Sequence, residues 1–205
     1  MKKKIGIIDY GMGNLWSIKN AFDYLGHENH FFSDYKKIDD FSHIILPGVG
    51  AFKKAIRNLQ DIKLFKPLKK IIGKKTKLLG ICLGMQLLFD NSTEGGFTEG
   101  LGLIKGKVEK FSAKELNSKK IPHVGYNQVF FKKNKIFNGI KNNADFYFDH
   151  SYRIKEYDKN IFPIYSNYGT KFLSGFIYKN IYSAQFHPEK SQSNGLLFLN
   201  NFVNR

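Results

Sequence analysis

The chain of 205 residues has one cysteine, Cys82. No disulfide can form within it, which sets aside the cross-linked secreted scaffolds and predicts a reducing compartment. A thiol with no partner is either core filler or a reagent. Proline is scarce, at five residues, so no Pro-rich spacer divides the chain. Apolar runs are short, and none nears the roughly 20 residues that cross a bilayer. The basic opening Met1-Lys2-Lys3-Lys4 leads into Ile5-Gly6-Ile7-Ile8, but Asp9 ends that run well short of a secretory core. The expectation is a soluble cytoplasmic chain that meets no membrane.

Acidic residues are also few, 17 against 33 Lys and Arg, for a net charge of +16. Such an excess invites a nucleic-acid reading. The lysines are scattered, with short clusters at residues 2–4, 66–77 and 132–135, and Phe130-Phe131-Lys132-Lys133 lacks the fuller pattern of a base-stacking module. No nucleic-acid partner is expected. The charge points instead to an acidic protein partner, or to a phosphorylated substrate held by that partner.

With 42% hydrophobic residues the chain can bury a sizeable core, and one domain over residues 1–205 is expected. Residues 4–9 read as a buried strand. Leu15, Ile18, Phe22 and Leu25 follow at helical spacing, with Gly26 able to cap. Strands are predicted over 28–32, 43–46 and 77–81, and helices over 51–59, 64–72 and from 84 to 89. Alternation of this kind predicts a mostly parallel sheet covered on both faces, with a site at the carboxyl ends of its strands. From Leu103 onward, aromatic and β-branched runs between polar turns predict antiparallel strands, clearest over 146–148, 174–178 and 181–185. Lys179-Asn180 reads as a hairpin turn between the last two, residues 112–120 as a surface loop, and 195–203 as a closing helix.

The strongest local signal is Leu79-Gly80-Ile81-Cys82-Leu83-Gly84-Met85-Gln86. A strand runs into a small-residue turn carrying the thiol and then into a helix, the cysteine version of a nucleophile elbow. Helix N-terminal charge beside the sulfur favours the thiolate. A core cysteine would not need glycines around it. Such a nucleophile needs a base, and the base an orienting group. Of six histidines, His187 stands apart: it follows a predicted strand, Pro188 stiffens the exit, and Glu189 is close enough to aim at the imidazole.

Gly80-Ile81-Cys82-Leu83-Gly84 together with Phe186-His187-Pro188-Glu189 resembles the class I (triad) glutamine amidotransferases. The motifs Ile8-Asp9-Tyr10-Gly11-Met12-Gly13-Asn14, Leu46-Pro47-Gly48-Val49-Gly50-Ala51-Phe52, Glu94-Gly95-Gly96, Ile121-Pro122-His123 and Gln185 to Ser191 narrow this to the glutaminase subunits of imidazole glycerol phosphate synthases. The resemblance spans nearly the whole chain. It implies a three-layer, flavodoxin-like α/β fold, with a mostly parallel sheet, flanking helices and added antiparallel strands. It implies that Cys82 attacks the glutamine side-chain amide, that His187 moves the protons and that Glu189 orients His187. An oxyanion hole is expected from the backbone amides of Leu83 and of the turn at Val49 and Gly50. Gly48, Gln86, Glu94, Ser151 and Tyr152 are the implied substrate contacts. The implied partner is a (β/α)8-barrel cyclase subunit in a heterodimer, met through Asn14, His123, Tyr126 and Lys190. No cofactor and no metal are called for.

Two positions depart from the family pattern. Tyr126 stands where Trp is usual, and Asp149 where an apolar residue is usual. The alternatives are a paralogue supplying ammonia to amidinate a surface sugar, a subunit that kept the fold and lost activity, and an unrelated cysteine hydrolase, against which the His-Pro-Glu signature speaks.

Overall fold

The computed structural model describes residues 3–205, so Met1 and Lys2 of the basic opening lie outside the described residues. The first half alternates strand and helix: β1 (Ile5–Ile8), α1 (Leu15–Tyr24), β2 (Asn29–Phe32), β3 (His43–Leu46), α2 (Phe52–Asp61), α3 (Phe65–Lys69), β4 (Lys77–Ile81) and α4 (Leu83–Gln86). Strands then dominate: β5 (Phe89–Ser92), β6 (Thr98–Glu99), β7 (Ile104–Lys110), β8 (His123–Val129), β9 (Ala144–His150), β10 (Tyr152–Lys155), β11 (Phe162–Tyr168), β12 (Thr170–Tyr178) and β13 (Ile181–Ala184). Helix α5 (Gln192–Val203) closes the chain.

The main sheet has the order β11-β12-β13-β4-β3-β1-β2. From β2 to β13 its neighbours are parallel, and β12 and β11 add an antiparallel edge. Side chains alternate across the pleat. Ile44, Leu46 and Leu78 join α2, α3 and a second sheet, β10-β7-β5-β6, in one core, while Ile45, Leu79 and Ile81 join α1, α5, Phe146 and Phe148 in the other. Helix α2 shows why it docks: Phe52, Ala55, Ile56 and Leu59 fall on one face and are buried, with Lys53, Lys54 and Arg57 away from it. Each fully buried Leu, Ile or Phe contributes about 1.5–3 kcal/mol relative to exposure.

Two expectations are revised. The helix predicted over 84–89 stops at Gln86 because the chain at Leu101, Leu103 and Ile104 takes the carbonyls of Leu87 and Leu88, and Phe89 pairs with Ile104 as β5. The helix predicted over 64–72 shrinks to Phe65–Lys69, with Lys70 N–H turning back to Pro67. The surface loop at 112–120 is as expected, exposed but for Leu116, which is wholly buried, and half-buried Glu115, which pairs with Arg153 and Lys155 of β10. The hairpin turn at Lys179-Asn180 is as expected: Tyr178 pairs with Ile181, and Lys179 takes φ +52°.

Candidate active site

Strand β4 lies between β3 and β13. Neighbouring strands run about 4.8 Å apart, so the segments leaving the carboxyl ends of these three strands converge. Cys82 leaves β4, Pro47-Gly48-Val49-Gly50 leaves β3, and the segment from Gln185 to Glu189 leaves β13. Cys82 N–H donates to Ala184 O at 2.7 Å, which ties the elbow to β13. The backbone at Cys82 is left-handed, φ 53° and ψ −111°. For a residue with a Cβ that costs on the order of 1–3 kcal/mol, and it holds the thiol out of the strand–helix turn. The glycines have a steric reason. A Cβ on Gly84 would sit 1.8 Å from Leu46 O, and one on Gly80 would sit 2.8 Å from Gly84 O. Helix α4 is a single turn of four residues, so its dipole acts on the sulfur less than a full helix would.

His187 is 2% exposed. Its backbone is fixed by an N–H bond to Tyr147 O, 2.8 Å, and by Ser191 Oγ donating to His187 O, 2.6 Å. Nδ1 donates to Glu189 Oε1 at 2.8 Å. That leaves Nε2 free to face the sulfur of Cys82, whose charge acts on the imidazole. Burial alone pulls the imidazole pKa down. The charge and hydrogen bond of the Cys82 sulfur, then the hydrogen bond and charge of Glu189, outweigh it and push His187 up to about 10. The Glu189 carboxylate is itself buried, its second oxygen without a partner among the described residues. Carboxylate and imidazole are thus bonded, and the sulfur is the next charge to act on the imidazole.

Beside the sulfur opens a cavity of 440 Å³ lined by Val49, Gly50, Ala51, Cys82, Leu83, Gln86, Glu94, Pro122, Asp149, His150, Ser151 and Tyr152. The amide of Leu83, in the first turn of α4, has no acceptor within the helix. Gly50 takes φ +101°, open to glycine and strained for other residues, and a Cβ on Gly48 would collide with Tyr10 Oη at 2.7 Å. Tyr10 Oη–H donates to Pro47 O at 2.6 Å and so fixes the peptide entering this turn. Burial, with the nearby Cys82 sulfur, holds the Tyr10 phenol well above its usual range, so it stays a neutral donor. Glu94 Oε2 accepts the Phe52 amide at 2.8 Å, which sets its carboxylate at the cavity wall. Gln86 uses Nε2 for both of its bonds, to Tyr152 O at 3.2 Å and Gln185 Oε1 at 3.0 Å, and leaves Oε1 as an acceptor.

Of the residues expected at a partner face, Asn14, Tyr126 and Lys190 are exposed. Asn14 caps α1 through Ser17 N–H, and Tyr126 Oη–H donates to Lys190 O at 3.0 Å. His123 is a correction. It is 2% exposed, stacked between Phe148 and Tyr168 rings, and presents no side chain to the surface. Its Nδ1 lies 3.0 Å from His150 Nε2, and His150 Nδ1 donates to Tyr152 O at 2.8 Å. Burial pulls His123 down to about 4 and His150 to about 3, so the pair is neutral at physiological pH. The buried aromatic surroundings that hold His123 come from strands far along the chain, and no local pattern announces them.

The site also holds groups the sequence reading did not single out: Tyr10, His150, the Asp149 carbonyl 3.8 Å from the sulfur, and Gln185, whose Nε2 is 3.6 Å from it. Gln185 opens the motif Gln185 to Ser191 and stands two residues before His187 on the same strand exit, the signals by which it could have been found.

A family model, Glutamine amidotransferase class-I, matches residues 6–205, and the chain belongs to that family. Within it, the chain is 47% identical over 199 residues to the Imidazole glycerol phosphate synthase subunit HisH of Caldanaerobacter subterraneus subsp. tengcongensis, covering 97% of this chain and 96% of that protein. It is 42% identical over 201 residues to the Imidazole glycerol phosphate synthase subunit HisH 1 of Campylobacter jejuni (strain RM1221), covering 97% and 98%. The solved structure of PurLQS from Thermotoga maritima superposes with a TM-score of 0.77 over 100% of this chain and 99% of that one, at 20% identity, a likeness of fold.

Proposed function

We propose that this chain hydrolyses L-glutamine to glutamate and ammonia, and passes the ammonia to a (β/α)8-barrel cyclase subunit that makes imidazole glycerol phosphate for histidine biosynthesis. The two form a cytoplasmic heterodimer in this reading. The observation that carries it is the buried His187–Glu189 pair next to Cys82, whose sulfur lines a 440 Å³ cavity.

The Cys82 sulfur anion attacks the side-chain amide carbon of glutamine, and the carbonyl π pair moves onto oxygen. Amides at Leu83 and at the Val49–Gly50 turn receive that oxyanion, and each such donor contributes about 3 kcal/mol to the transition state. His187 Nε2–H gives its proton to the departing nitrogen, ammonia leaves, and a glutamyl thioester remains. His187, now neutral, takes a proton from water, whose oxygen attacks the thioester. Collapse expels the sulfur and releases glutamate. Glu189 stabilises the imidazolium wherever it forms. In the cavity, Glu94 offers a carboxylate to the substrate ammonium, with Gln86 Oε1 and the Gly48 and Ser151–Tyr152 backbone as further contacts. Asn14, Tyr126 and Lys190 belong to the partner face in this reading.

The test is Cys82→Ala in complex with the cyclase subunit. Glutamine-dependent synthesis falls by at least about 10³-fold, while synthesis from an ammonium salt stays at the wild-type rate. Retained glutamine turnover would remove Cys82 from the chemistry, and loss of the ammonium-dependent reaction would break the proposed pairing.

A further inference from the structure

Besides His187, the sulfur has another buried neighbour. Gln185 is 0% exposed, its backbone N–H bound to Ser174 O at 2.8 Å and its side chain spanning from Gln86 to Cys82. The sense of that span is fixed by one atom. The Tyr152 carbonyl can only accept, so Gln86 must present Nε2 to it. The second N–H of the same nitrogen then goes to Gln185 at 3.0 Å, which requires Gln185 to present Oε1 there. Its Nε2 is left pointing at the sulfur, 3.6 Å away. His150 Nδ1–H reaches the same Tyr152 carbonyl at 2.8 Å and holds the anchor from the other side. An amide turned the opposite way would set two oxygens, or two N–H groups, against each other in a buried place.

The sulfur therefore meets two kinds of neighbour. As a thiol it can donate to Asp149 O at 3.8 Å. As an anion it needs donors, and a neutral amide buried beside it is a donor that cannot be lost by titration. We infer that Gln185 is a catalytic residue of this site: its Nε2–H bonds the sulfur anion of Cys82, holds it at the angle of attack, and is locked in the donating sense by Gln86 and the Tyr152 carbonyl. The His187 proton is spent and regained in each cycle, whereas the Gln185 N–H faces the sulfur unchanged before attack and again when the thioester collapses. Because Gln86 also lines the cavity, a glutamine bound at Gln86 Oε1 holds the amide that aims Gln185.

The inference rests on Cys82 being the nucleophile, so the test separates the two. Gln185→Met keeps the shape of the side chain and removes the donor. Gln185→Glu keeps the shape and turns an acceptor toward the sulfur, and is the second variant should the first fail to fold. The readouts are iodoacetamide alkylation of Cys82 in the full chain, and kcat and KM for glutamine in the complex with the cyclase subunit. For Gln185→Met, alkylation at about pH 7 slows roughly tenfold, the range of a hydrogen bond to a charged group. The kcat falls by roughly the same factor with KM within about twofold. Gln185→Glu is slower still in both. Alkylation and kcat within about twofold of wild type in a folded variant overturn the inference, as does a kcat loss with alkylation unchanged at about pH 7, which would mark a structural role. If fully alkylated wild type still turns over glutamine, the nucleophile assignment fails instead.

Discussion

His187 carries the electrostatics of the site in a single side chain. It is buried, which disfavours its charge, and it is nevertheless held as a cation by the sulfur on one side and Glu189 on the other, with a pKa of about 10. Cys82→Ala deletes the two largest causes that raise it and keeps the burial and the carboxylate. The His187 midpoint, followed by imidazole proton shifts in NMR, should fall. The sign in stability follows. A folded pKa above the unfolded value of about 6.5 means that the stabilisation is complete below that pH and is lost as pH climbs through the folded value. Wild type should therefore exceed Cys82→Ala in unfolding free energy at neutral pH, with the gap narrowing toward about pH 10. Equal His187 midpoints in the two proteins would show that the sulfur does not support the cation.

Among the elements, the β12–β13 hairpin does more than end the sheet. Asn180, in its turn, accepts from Gly73 N–H at 2.7 Å and donates to Ile71 O and Thr76 O, each at 2.8 Å. These bonds stitch the loop between α3 and β4 to the turn leading into β13, so the strands that deliver Cys82 and His187 are tied at both ends. Asn180→Ala loses three side-chain bonds and should cost about 2–3 kcal/mol in urea unfolding, with kcat per folded molecule unchanged. A variant as stable as wild type would dissolve that link. This hairpin was legible because Lys179-Asn180 lies between two β-branched runs, and the elbow was legible because only glycine fits at 80 and 84. The end of the helix after Gln86 was not: Leu87-Leu88-Phe89 suits helix or strand, and the partner that decides, the segment from Gly100 to Ile104, lies a dozen residues on. The same limit hid Gln185 and the inward turn of His123. Each is defined by neighbours that pairing between distant strands supplies, Gln86 and Cys82 for one, Phe148 and Tyr168 for the other.

At the scale of the whole molecule, charge and site are separate. The cavity is lined by two carboxylates, Glu94 and Asp149, with no Lys or Arg among the described residues around it. Glutamine carries no net charge at neutral pH, so the excess of +16 does not serve to draw it in. With 33 basic and 17 acidic side chains, one-to-one pairing leaves 33 − 17 = 16 cations without a carboxylate. In the isolated chain that excess repels itself, and salt screens the repulsion over a Debye length that shrinks from about 30 Å at 0.01 M to about 10 Å at 0.1 M. Urea unfolding of the chain alone should thus give a free energy that rises as NaCl goes from about 0.01 M to about 0.3 M. Lys132→Glu with Lys133→Glu, two exposed positions away from the cavity, should reproduce part of that gain at low salt and flatten the salt dependence. Association with an acidic partner should run the other way, its rate falling over the same range as screening weakens the attraction. A free energy that stays flat or falls with salt would mean that the surplus lysines are far enough apart to be indifferent to one another, and the charge would then have no claim on either stability or partner choice.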